Sequence, residues 1–240
     1  MKTTKQLARR AGLLYFLLAV SAPLGLVIVP GRLFVSGNAS ATADNIRASG
    51  WLLRAGMASE LVHQAIVIFL VLALYRLFVQ VDEYLSKQVV ILGALVSVPI
   101  VFVNVLNEIA ALILVSGADF LTVFERPQRD ALAYLFVRLH SQGIAVASIF
   151  WGLWLFPFGL LAIRSRFIPK FLGYLLWVAG AAYVTDAFFT LIAPQYMAAV
   201  SKVTGLLVMA EVPIIFWLLI WGAKKLPGTV PAVKPASFEH

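Results

Sequence analysis

The chain has 240 residues, of which 62% are hydrophobic and 12% charged, with a formal net charge of +8 and a mean hydropathy of +0.94. An ordinary soluble domain is about 45–50% apolar and about 25% charged, so this composition excludes a water-soluble globule and makes a lipid bilayer the expected partner. The absence of cysteine excludes disulfides, thiolate metal sites and cysteine nucleophiles, and bases scattered between oily segments exclude a nucleic-acid-binding patch.

A membrane span needs about 20 mostly apolar residues. Read in chain order, the sequence predicts six: 11–30, 54–78, 88–115, 138–163, 170–193 and 203–222. The first follows Lys2, Lys5, Arg9 and Arg10 as a signal peptide would, but its apolar run is too long for a signal and Pro23 follows the candidate cleavage site at Ala22. It is therefore read as a span. The connection 31–50 carries the glycosylation-type triplet Asn38-Ala39-Ser40 and a helical turn expected from Thr42. The third and fourth segments exceed the length needed, so tilt or projection from the membrane is expected. The segment "DFLTVFERPQRDALAYLFV" mixes aromatic and charged residues as an interfacial stretch does. Pro157 is placed to kink the fourth span, and small residues four apart, Gly143 with Ala147 and Ser148 with Gly152, permit close helix approach. The basic turn "RSRFIPK" leads into the fifth span.

These features define an all-α polytopic transmembrane bundle. A single membrane domain covers residues 1–225, and a Pro-rich polar tail, 226–240, is expected to be disordered. Six spans put both termini on one side. Twelve Lys and Arg residues fall on that side, in the two tails and in the connections at Arg76/Lys87 and Arg164/Arg166/Lys170, against seven on the other. Cytoplasmic loops carry the excess of bases, so both termini are expected in the cytoplasm.

The spans also contain groups that lipid penalises. An ionisable side chain at the bilayer centre costs at least about 2.5–3.5 kcal/mol, so it should face the bundle interior or water. Glu60, His63 and Gln64 stand at i, i+3 and i+4 on one helix face. Asn104, Asn107 and Glu108 repeat that spacing, as do Arg138, Ser141 and Gln142, with His140 directed elsewhere. Tyr183, Asp186 and Thr190 share a face in the fifth span, and Thr204 and Glu211 a stripe in the sixth. At about 1.5 Å per residue from the terminal side, Glu211 lies about 16 Å up, His63 about 18 Å, Glu60 and Asp186 about 22 Å and Glu108 about 28 Å. Arg138 and His140 fall near the far interface. Five polar faces at overlapping depths predict one acidic pocket open to the outside.

The candidate ligand-binding set is therefore Glu60, His63, Asn107, Glu108, Arg138, His140, Asp186 and Glu211, with Arg138 and His140 at the mouth. Carboxylates in excess of bases need protons, arginine partners or a bound cation, so a cation or small polar ligand is the expected cargo of a transporter or sensor. Glu60-x-x-His63 also has the spacing of one half of a di-iron motif, and a divalent metal held by His63 and Glu60 would make the protein a metal-dependent intramembrane enzyme acting on a lipophilic substrate. The bland alternative is an accessory subunit whose polar residues glue helices together, with a membrane-protein partner or a second copy as its associate.

The pieces "ATADNIRASGWLLR" (41–54), "LALYRLF" (72–78), "LHSQG" (139–143), "FWGLWLFPFGLLAIRSRFIPKFLGYLLWVAGAAYVTD" (150–186) and "EVPIIFWLLIWG" (211–222) carry a resemblance. From about residue 8 to 225 the chain resembles the bacterial multi-pass membrane family called domain of unknown function 4386. The resemblance implies a bacterial cytoplasmic (inner) membrane protein and no particular activity. It directs attention to Arg54, His140, Asp186 and Glu211, in or beside the matching pieces, and leaves Glu60 and His63 outside them.

Overall fold

The computed structural model describes residues 3–223, so the tail expected to be disordered lies outside the described residues. The described chain is helical throughout: α1 Thr4–Leu33, α2 Ala39–Ala48, α3 Gly50–Phe78, α4 Glu83–Val115, α5 Arg126–Arg164, α6 Lys170–Ile192 and α7 Pro194–Trp221. All but α2 are long and apolar enough to cross a membrane, as the hydropathy pattern predicts. Several run past the predicted bounds. Hydropathy marks only the part of a helix that lipid touches, whereas backbone hydrogen bonding continues into the polar turns that begin α1 and α5.

Local chemistry sets the ends. Thr3 and Gln6 form a reciprocal capping box before α1. Asn38, the Asn of the glycosylation-type triplet, caps α2 by accepting from the Ala41 N–H at 2.9 Å. Asp82 caps α4 through the Leu85 N–H at 3.1 Å. Gly117, at φ +77°, turns the chain after α4 in a conformation that side chains resist. The connection 31–50 thus holds a ten-residue helix where the sequence promised one turn.

Prolines interrupt four spans. Pro157 has no N–H for the carbonyl of Leu153, and α5 breaks at Trp154, between the segments ending at Leu153 and starting at Leu155. Pro23 is followed by a turn of π-helix, Leu24–Ile28, in which the Val29 N–H reaches back to the Leu24 carbonyl. Pro99 follows a π-helical stretch, Ile91–Val96, in α4. Pro213 follows a 3₁₀ turn, Met209–Glu211. There the Val212 N–H takes the Met209 carbonyl that Pro213 cannot serve.

The helices pack α1 on α3, α4 on α5, α5 on α6 and α6 on α7, with the C-terminal part of α7 returning to α1. Arg9 donates to the Ile220 carbonyl at 2.9 Å, so the two ends of the described chain meet on one side. Small residues set the closest crossings. A Cβ on Gly159 would lie 2.7 Å from the Gly173 carbonyl oxygen, and one on Gly152 2.5 Å from that of Gly180. Gly143 instead faces Asn104, and Ser148 bonds its own helix at the Ile144 carbonyl.

Two apolar cores result. One, on the terminal side, centres on Tyr15, Phe78, Trp154 and Phe158, whose rings touch one another. The other, at the far side, joins Val29, Ile46, Leu53, Leu112 and Val137. Outward, large apolar side chains such as Phe69, Leu106 and Leu206 are exposed, the surface that lipid covers. The far end is tied by ions: Arg47 bridges Asp44 at 2.6 Å and also Asp130, and Arg126 reaches Asp44 at 2.7 Å. Arg47 first, and then Arg126, hold the Asp44 carboxyl below its ordinary value of 3.8. At the terminal side, Arg164 meets Asp82 at 2.5 Å.

Candidate functional site

A buried polar layer separates the two cores. Along α3, Met57 belongs to the far core and Val67 to the near one, with Glu60 and Gln64 between them. Along α1, Gly25 occupies the same level between Leu18 and Val29. Its π-helical turn and missing side chain admit Glu60: a Cβ there would stand 2.7 Å from Glu60 Cγ.

Three ionisable groups from three helices meet in this layer. His140 Nε2 of α5 lies 3.1 Å from Glu60 Oε2 of α3 and 3.8 Å from Glu108 Oε2 of α4. One oxygen of each acid and one nitrogen of the histidine lie within 4.8 Å of one another. The residues are 4%, 1% and 3% exposed for Glu60, Glu108 and His140. Asn104 fixes the histidine's place, donating to the His140 carbonyl at 2.9 Å and accepting from Asn107 at 3.0 Å. Glu60 Oε1, Glu108 Oε2 and Gln64 Oε1 are buried acceptors with no hydrogen-bond donor among the described residues. Two carboxylates this close in lipid cannot both be ionised beside a single imidazole at low cost. The set has the nitrogen and oxygen donors that a divalent cation accepts, and the spare lone pairs to receive one.

His63 stands outside that group. Its Nδ1 lies 3.0 Å from Ser21 Oγ, and the Ser21 hydroxyl is itself directed at the Leu18 carbonyl at 2.8 Å. The Ser21 oxygen is thereby left to accept from Nδ1, which in a neutral imidazole leaves Nε2 as an acceptor. The i, i+3 spacing puts Glu60 and His63 on one face, yet their side chains part. Glu60 turns to α4 and α5, His63 to α1. Between them is a cavity of about 10 Å³, room for about one water, walled by Glu60, His63, Gln64, Ser21 and Trp151 among others.

The remaining polar residues form two further sets. Glu211 of α7 accepts from Tyr15 of α1 and from Tyr183 of α6. Asp186 of α6 accepts from Thr204 of α7 at 2.6 Å. The five polar faces therefore divide among three clusters instead of converging on one pocket. In place of arginine partners the acids use hydroxyls and His140, and Arg138 and Arg54 are exposed. His140, expected at the mouth, is interior. On α5 the inward face is Val137, His140 and Ala147, and Arg138 and Ser141 point outward.

The large cavity, about 370 Å³, lies beside the Glu211 set. It opens where α1 and α7 diverge. The two helices touch at Gly12, against the backbone of Leu218 and Leu219, and at Tyr15–Glu211. Beyond that point Ala19, Pro23 and Val27 of α1 and Met209 of α7 line the cavity and are exposed. Its inner wall includes His63, Trp151, Trp154, Tyr183 and Glu211. Ala22, Leu26, His63 and Trp151 are shared with the small cavity. Sequence reasoning missed Tyr15 and Ser21, because each is a single polar residue in an apolar run with no polar neighbour at helical spacing.

The model of a family described as "Domain of unknown function (DUF4386)" matches residues 10–222. An uncharacterized protein of Archaeoglobus fulgidus is 34% identical over 76 residues, 32% of this chain and 44% of that protein. The chain thus spans less than half the length of the relative it matches. No solved structure matches it.

Proposed function

We propose, for a chain that belongs to the family described as domain of unknown function 4386, that it is a multi-pass membrane protein that binds a cation between α3, α4 and α5, in a transport or sensing role. The carrying observation is the buried meeting of Glu60, Glu108 and His140, with acceptor oxygens that no donor among the described residues serves. A proton or a divalent metal ion satisfies both the excess negative charge and the spare lone pairs. The one-water cavity beside Glu60 and His63 supports a path by which it arrives. In this reading Asn107 acts through Asn104. Asp186 and Glu211 hold helices, and Arg138 sits at the surface. We place the protein in a bacterial cytoplasmic membrane with both termini inside, supported by the excess of Lys and Arg on that side.

The test is titration of chelator-free purified protein with Zn²⁺, reading bound metal and released protons together, because metal displaces protons from its ligands. Saturable binding near one ion per chain is expected in the wild type and in His63→Ala, and its loss in His140→Ala and Glu108→Gln. Wild-type protein that binds no zinc and releases no proton, or binding that survives His140→Ala and disappears with His63→Ala, overturns the assignment.

A further inference from the structure

The cleft between α1 and α7 carries an assignment of its own. Its volume, about 370 Å³, falls in the range of about 300–1,000 Å³ typical of small-molecule sites. Its mouth is apolar and lies within two spans: Ala19, Pro23 and Val27 on one side, Met209 on the other. What enters there comes from the hydrocarbon phase. Its inner wall is not apolar. Trp151, whose indole N–H is buried with no acceptor among the described residues, faces the His63 ring at a centroid distance of 6.4 Å. The Ser21 contact leaves His63 Nε2 as an acceptor. One unanswered donor and one acceptor are therefore carried by neighbouring rings on the inner wall of a lipid-facing cleft. Glu211 with its two tyrosines closes the terminal-side edge.

A hydroxyl group is the smallest head that answers both, accepting from Trp151 and donating to His63. A carboxylate cannot donate, and its charge would lie against Glu211. A bare alkane leaves the indole N–H as it is. We propose that the cleft between α1 and α7 binds a membrane-dissolved long-chain alcohol, with its hydroxyl between Trp151 and His63 and its chain leaving between Ala19 and Met209.

The test uses 2-bromo-1-undecanol, whose bromine lies beside the hydroxyl, as the probe and 1-bromoundecane as its control, with full-length protein in lipid nanodiscs. Bromine quenches the fluorescence of Trp154 and Trp151 on the inner wall. The midpoint of quenching is read, not its amplitude, so that replacing one tryptophan does not obscure the result. Saturable quenching by the alcohol is expected, with a midpoint about a hundredfold lower than for the alkane, the equivalent of two hydrogen bonds at about tenfold each. Trp151→Phe should raise the alcohol midpoint about tenfold and leave the alkane's unchanged, and Ala19→Phe, which fills the mouth, should abolish saturation for both. Linear quenching, equal for the two probes and indifferent to Ala19→Phe, means partitioning into bulk lipid and overturns the site. Saturation with equal midpoints overturns the hydroxyl assignment.

Discussion

Replacing His140 with leucine tests whether the buried cluster is held together by charge. The substitution removes the imidazole that lies 3.1 Å from Glu60 and 3.8 Å from Glu108 and leaves two carboxyl groups, 4% and 1% exposed, without their common partner. Breaking a buried ion pair on one side costs about 3–5 kcal/mol. His140→Leu should therefore lose about 3–5 kcal/mol. Adding Glu60→Gln to the variant should restore most of the loss, because the stranded charge goes with it. The assay is denaturant unfolding of detergent-solubilised protein followed by helical circular dichroism. A loss under about 1 kcal/mol, or a loss that Glu60→Gln does not repair, would refute the charge argument and leave His140 as a packing residue.

Other perturbations probe the frame around the cluster. Gly152→Val puts a Cβ where only 2.5 Å separates it from the Gly180 carbonyl oxygen; overpacking of this kind costs about 1–3 kcal/mol, and the same unfolding assay should show it, whereas Gly205→Val, with nothing within 4 Å of the added carbon, should be close to neutral. Asp44, held low by Arg47 and Arg126, stabilises the folded state above its ordinary value of 3.8 and ceases to do so as pH falls through its lower folded value. Wild-type protein should therefore lose its advantage over Asp44→Asn below that pH, as hydrogen exchange in α2 would report.

The spans were legible because lipid imposes a simple requirement. Every backbone polar group must be paired within its helix and the outside must be apolar, and both conditions show in a hydropathy pattern. The same requirement made Glu60 and Glu108 stand out as inward-facing, and they are buried together. Partner choice was not legible. Glu60 and His63 share a face at i, i+3, but a face spans more than one neighbouring helix, and the rotamers that send Glu60 to α5 and His63 to α1 depend on packing that no spacing encodes. His140 was misplaced because the polar trio Arg138, Ser141 and Gln142 looked like the interior face. Near a membrane surface a polar stripe can equally point to water or headgroups, and a lone histidine on the otherwise apolar face of Val137, Ile144 and Ala147 was the better sign of the interior.

The irregular turns explain why both cavities exist where they do. A straight apolar helix in lipid fills the space beside it, since its side chains project at regular intervals. A π-helical turn after Pro23 and a 3₁₀ turn before Pro213 change the phase of α1 and α7, and the two helices, in contact at Gly12 and at Tyr15, separate immediately beyond. The residues of these turns, Leu26 and Val27 on one helix and Met209 and Glu211 on the other, are the walls of the large cleft. Gly25, inside the same π-helical turn, is what lets Glu60 approach α1 on the opposite side. Backbone that departs from the α-helix is tolerated at membrane depth only where it is buried in protein or lines a cavity, and π-helical turns are frequent at functional sites. In this chain the π-helical turn of α1 coincides with the buried acid at Glu60 and with the lipid-facing cleft, so that break is a structural cause the two sites share.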